Sequence, residues 1–103
     1  MVFQRFFGQA SIPEVTPDEA QRKQKAGAVL VDVREVDEWR QGHIAGALHL
    51  PLGSLAGRVQ ELDPSRETIL VCRSGSRSLM AARLLQRAGF SQISNMTGGM
   101  TRW

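Results

Sequence analysis

The most constraining stretch of this chain is Thr68-Ile69-Leu70-Val71, followed at once by Cys72-Arg73-Ser74-Gly75-Ser76. The run Thr68–Val71 reads as a strongly apolar strand. The residues after it are small or basic. A helix is expected to open near Arg77, with Met80, Ala81, Leu84, Leu85 and Ala88 toward the core. Gly89 suits C′ and Phe90 suits C″ against Leu85, the pattern of a Schellman cap. Strand, tight loop and helix in that order put the loop at the carboxyl edge of a sheet, where open α/β folds place ligands.

The rest of the chain alternates in the same way. Thr16-Pro17-Asp18-Glu19 opens a helix: Thr16 caps, Pro17 takes N1 and Glu19 completes a capping box. It is expected to run to about Ala26 and stop at Gly27. Residues 28–33 read as a strand covered on both faces, hence as part of a parallel sheet, interrupted by Asp32. Residues 36–41 read as a short helical turn closed by Gly42, with Trp39 packing inward. Residues 47–50 are a short strand ended by Pro51. Ser54 is expected to cap a third helical segment, with Leu55, Val59 and Leu62 on one stripe. Asp63-Pro64-Ser65 is a turn. Residues 92–94 are a last short strand and residues 95–100 a loop. Strands alternating with helices predict a three-layer α/β/α sandwich around a mainly parallel sheet.

With 103 residues, 42% hydrophobic and 22% charged, the chain suits one core and neither a disordered nor a fibrous class. A net charge of +3 is too small to argue for nucleic acid. Its distribution says more. No acidic residue follows Glu67, whereas Arg73, Arg77, Arg83, Arg87 and Arg102 all do. That local field favours a small anion or an acidic partner. For Arg83, Arg87 and Arg102 a plain solvated face is an equal reading. The single cysteine excludes an intrachain disulfide. With two distant histidines it makes a poor metal set, so neither metal nor cofactor is expected. No apolar run reaches the roughly 18 residues of a membrane span, and a cytoplasmic location is expected. The opening residues 1–7 are too short for a signal peptide. Residues 1–12 read as an arm, and residues 13–103 as one domain.

The cysteine loop carries the chemistry. Small residues let successive backbone N–H groups converge, and the helix amino end adds its own unpaired donors. Such a cradle favours a thiolate, and with Arg73 and Arg77 nearby it should lower the cysteine pKa. A lone cysteine is usually a small buried hydrophobe, but Cys72 stands at the end of its strand rather than inside it. The loop lacks the Gly-Lys-Ser/Thr ending of a nucleotide P-loop.

Four ordered pieces then resemble one family. They are Val31-Asp32-Val33-Arg34, Gly42-His43-Ile44-Ala45-Gly46-Ala47, Cys72-Arg73-Ser74-Gly75-Ser76-Arg77-Ser78 and Gly98-Gly99-Met100-Thr101-Arg102-Trp103. Each alone is weak; the ordered set resembles the rhodanese family of sulfurtransferases in its single-domain form. The resemblance implies a five-stranded, mainly parallel sheet and Cys72 as sulfur carrier. The thiolate would take the outer sulfur of thiosulfate or another sulfane donor, release sulfite and hold a persulfide. Cyanide, a small thiol or a protein would then accept the sulfur. More extended family members carry a last helix after the closing tryptophan. Here residues 1–12, with Phe3, Phe6 and Phe7, are expected to cover that edge, in cis or from a second molecule of an oligomer.

Arg77, at the helix start, is the expected grip for the sulfonate oxygens; Arg73 helps or faces solvent. Ser74 and Ser76 are expected to tie the loop backbone, and Ser78 closes the active loop. Gly75 permits a backbone angle that a side chain would strain. Asp32 must be paired, with Arg34 as the partner that the resemblance points to. Glu35 is expected at the pocket rim, and His43 as a packed, hydrogen-bonded residue. Phosphatases and arsenate reductases that resemble rhodaneses use cysteine loops with five residues before the arginine. Only four separate Cys72 from Arg77. A phosphatase or arsenate reductase remains the alternative enzyme, and a non-catalytic rhodanese-like binding module the alternative class.

Overall fold

Thr16 caps the first helix as its sequence demands. Its hydroxyl accepts the Glu19 N–H at 3.1 Å, and the Glu19 carboxylate accepts the Thr16 N–H at 2.8 Å. The computed structural model describes residues 11–103. In chain order they form β1 (Glu14–Val15), α1 (Pro17–Lys25), β2 (Val29–Asp32), α2 (Val36–Arg40), β3 (Leu48–His49), α3 (Leu52–Leu55), β4 (Thr68–Val71), α4 (Ser76–Arg87) and β5 (Ile93–Met96). Short 3-10 segments cover Ala56–Glu61 and Gly99–Thr101.

All five strands are parallel, in the order β1-β5-β4-β2-β3. β2 and β4 pair in register from Val29 with Thr68 to Asp32 with Val71, so Cys72 emerges at the carboxyl edge beside the end of β2. Side chains alternate between the two faces, as strand geometry requires. Val31, Leu70, Cys72 and Ile93 pack toward α3 and α4 with Leu55, Ala81, Ala82 and Leu85. Leu30, Ile69, Val71 and Met96 pack toward α1 with Ala20 and Ile44. This is the expected three-layer α/β/α sandwich. No helix among the described residues is long and apolar enough to cross a membrane.

Several local expectations need correction. Ser54 lies inside α3; the helix starts after Pro51, and a 3-10 segment bent at Arg58 replaces the longer helix. Met80 does not reach the core but is 60% exposed, because α4 buries Ser78, Ala81, Ala82 and Leu85 instead. Ala88 is also exposed, as the residue that ends α4. Trp39 is half-buried rather than inward, with its ring between His43 and His49 at centroid distances of 3.5 and 4.6 Å. β5 extends through Asn95 and Met96, where a loop is expected, and β1 has too little apolar length to be read as a strand. The Schellman cap of α4 forms: the Phe90 N–H reaches the Leu85 carbonyl at 3.0 Å and the Gly89 N–H the Gln86 carbonyl at 3.1 Å. The first ten residues of the expected arm lie outside the described residues; Ile12, its last residue, is buried in the core.

Candidate active site

β4 delivers Cys72 to the sheet edge with no exposed surface. The loop then turns sharply through Gly75, whose φ of 110° is left-handed and suits only glycine. That turn aims the Gly75 N–H at Cys72 Sγ, 3.0 Å away. The Ser78 hydroxyl, from the first turns of α4, lies 3.3 Å from the same sulfur. Burial pushes the Cys72 thiol up; the Ser78 hydroxyl and the backbone N–H groups of Ser78, Gly75 and Ser74 pull it down. The net direction is down, so the loop favours the thiolate.

Beneath the loop sits Asn95, a residue that sequence reasoning missed. Its Nδ2 donates to the Gly75 carbonyl at 3.1 Å, and its Oδ1 meets the Ser78 hydroxyl. The Ser78 hydroxyl therefore faces Sγ, Asn95 Oδ1 and, at 3.1 Å, the Gly75 carbonyl, with one proton to give. Against a thiolate that proton can turn to sulfur. Against a thiol the hydroxyl can accept the S–H and donate to Asn95. The only early signal for Asn95 was a polar residue between Ile93 and Met96.

The closing glycine pair clamps the loop from outside. The N–H groups of Met100 and Thr101 donate to the carbonyls of Cys72 and Arg73 at 2.8 and 3.0 Å. A Cβ on Gly99 would lie 2.2 Å from the Cys72 carbonyl oxygen, so this approach requires glycine.

Arg77 is placed differently from its expected use. Its guanidinium makes two hydrogen bonds, of 2.7 and 2.8 Å, to the carboxylate of Glu38 on α2. Glu38 also accepts the Glu35 N–H at 2.9 Å. The Arg77 bond, opposed by partial burial, holds the Glu38 carboxyl at about 2, so it stays ionised. A cleft of about 310 Å³ beside the loop is lined by Arg34, Glu38, Gln41, Gly42, Arg73, Met100 and Thr101. Glu38, not Glu35, is its acidic wall. Arg73 is exposed and makes no ion pair among the described residues. Ser74 and Ser76 are exposed; it is the Ser74 backbone, not its hydroxyl, that serves the sulfur.

Asp32 is fully buried and paired with Arg34, whose Nε lies 3.0 Å from both carboxylate oxygens and whose Nη2 lies 2.8 Å from Oδ2. The same Nη2 donates to the Gly42 carbonyl at 2.9 Å, joining the end of β2 to the turn after α2. His43 is exposed, stacked on Trp39 and bonded through Nδ1 to the Trp39 carbonyl at 2.9 Å.

The rhodanese-like domain family matches residues 16–103, from the cap of α1 to the last residue. The chain belongs to the rhodanese-like domain family. Its curated relatives include YrkF of Bacillus subtilis (strain 168), 38% identical over 91% of this chain and 52% of YrkF. The chain thus spans about half the length of that relative. The thiosulfate sulfurtransferase GlpE of Pseudomonas syringae pv. syringae is 36% identical, with 86% of this chain and 84% of GlpE covered. Among solved structures, a rhodanese-like domain protein from Staphylococcus aureus superposes with a TM-score of 0.83 at 26% identity, over 89% of this chain and 91% of that one.

Proposed function

We propose that this rhodanese-like chain is a thiosulfate sulfurtransferase whose sulfur carrier is Cys72. The observation that carries this reading is the pair of donors, Gly75 N–H and Ser78 hydroxyl, on a single cysteine sulfur. Likeness to GlpE over most of both chains supports the donor class. The Cys72 thiolate attacks the outer sulfur of thiosulfate. The S–S bond of the donor breaks, and its electron pair leaves with sulfite. The persulfide anion formed on Cys72 is held by the same N–H and O–H donors, which are in place before charge arrives. Cyanide then attacks the outer sulfur and leaves as thiocyanate, returning the electron pair to Cys72; a thiol acceptor leaves as a persulfide.

Arg73, which is exposed and lines the cleft, meets the donor's sulfonate in this reading; Arg34 lines the same cleft. Arg77 is a positioning residue in this reading, since Glu38 already occupies its fork. Asp32, Arg34 and His43 support the loop's surroundings, and residues 13–103 form the one catalytic unit. A lone thiol suits the reducing cytoplasm. The test is thiocyanate production from thiosulfate and cyanide. Wild type is expected to turn over, C72A to be inactive, and R73Q to raise KM for thiosulfate with kcat little changed. Cys72-dependent hydrolysis of an aryl phosphate, with no thiocyanate formed, would sink the reading.

A further inference from the structure

The outer face of α4 carries a stripe that the proposed reaction does not use. Ser76, Met80, Arg83 and Arg87 follow at intervals of four, three and four residues, which places them on one side of a helix. All four are exposed, and Met80, at 60%, is the most exposed large apolar residue among those described. Neither Arg83 nor Arg87 makes an ion pair among the described residues, and α4 contains no acidic residue. Solvated helices commonly interleave opposite charges at i and i+4; this one offers two unpaired guanidiniums around a bare thioether. The stripe starts at the loop itself, because Ser76 follows Gly75, whose N–H holds Cys72 Sγ. The 12 residues of α4 span about 18 Å. A partner lying along the stripe therefore has one end at the active loop, and exposed Arg73, from the same loop, lines the cleft.

We propose that the α4 stripe docks an acidic protein that accepts the sulfur, an inference that rests on the sulfurtransferase reading above. Met80 supplies the apolar contact at the centre, and Arg83 and Arg87 take carboxylates in their planar forks. A thiolate of the docked partner attacks the outer sulfur of the Cys72 persulfide. The S–S bond on Cys72 breaks, its electron pair returns to Sγ, and the partner leaves as a persulfide. No oxidant or reductant is consumed. Cys72 is the only cysteine of the chain, so no second thiol of its own intercepts the transfer.

The test uses the full chain, loaded with sulfur from thiosulfate. Two synthetic peptides, each with one cysteine and differing only in four glutamates against four glutamines, serve as acceptors. The glutamate peptide is expected to take sulfur about tenfold faster at low salt, an advantage that high salt removes. R83E/R87E should abolish that advantage while leaving transfer to cyanide within about twofold of wild type. R22E/K25E is the control. It changes net charge equally but lies on α1, which packs on the opposite face of the sheet. That double variant should keep the preference. Equal loss in both double variants, or no preference in wild type, overturns the docking surface. Failure of transfer to cyanide in wild type overturns the sulfurtransferase reading, and the docking inference with it.

Discussion

Ser78 has one proton and three acceptors around it, and that count governs the thiol. Its hydroxyl is the largest of the contributions that pull the Cys72 pKa down against burial. Removing it leaves the burial in place and deletes a hydrogen bond to a charged group, worth about 1.5–3 kcal/mol. S78A should therefore raise the apparent pKa of Cys72, read from the pH dependence of alkylation rate. An unchanged profile would show that the backbone donors alone set the thiolate. At this scale Cys72, Gly75 and the need of Asp32 for a partner were legible in the sequence, because each follows from local chemistry: a strand end, a left-handed turn, a carboxylate in an apolar run; Arg34 as that partner came from the family resemblance. Asn95 and Glu38 were not. Their partners Ser78 and Arg77 stand 17 and 39 positions away, and no local pattern encodes such a meeting.

Between elements, two clasps hold the loop. One is Glu38 of α2 on Arg77 of α4. Because the Glu38 pKa is depressed from 4.5 to about 2, the stability it confers is present above its ordinary value and lost as pH falls through that window. The Tm deficit of E38Q relative to wild type should be present at pH 7 and shrink steadily between pH 4.5 and 2. A deficit constant with pH would deny the ion pair its role. The other clasp is Gly99 against the backbone of Cys72 and Arg73. G99A adds a Cβ where backbone stands 2.2 Å away, at a φ of +55°, and should cost about 2 kcal/mol or more. G27A shares a positive φ but meets nothing within 4 Å, and should cost about 1 kcal/mol. Equal Tm losses would show that strain, not contact, dominates at Gly99. Helix starts and stops were legible where caps are local, as at Thr16 and Gly89. Helix α3 was not, because Pro51 rather than Ser54 sets its start, and the face that α4 buries was read one step off at Met80.

Across the whole molecule, the sheet order places the cysteine at the end of the central strand β4, between β5 and β2. Both neighbours contribute to the site: β5 through Asn95 below the loop, β2 through the Asp32–Arg34 pair beside it. The α/β/α layering was legible from alternating strand and helix patterns, and the family from four ordered motifs. Of the two-residue edge strands, β3 was legible within residues 47–50, ahead of Pro51, whereas β1 was not. The charge imbalance after Glu67 was legible too, but only the structure separates its members. Arg77 is neutralised by Glu38, Arg73 stands at the cleft, and Arg83 and Arg87 are exposed and make no ion pair among the described residues. All of this converges on a single sulfur atom, and the most direct measurement is the mass of the intact chain after exposure to thiosulfate. Sulfur carriage by Cys72 predicts a gain of one sulfur that maps to Cys72, is removed by cyanide and is absent in C72A. Folded wild-type protein that gains no sulfur from thiosulfate or any other sulfane donor would contradict it.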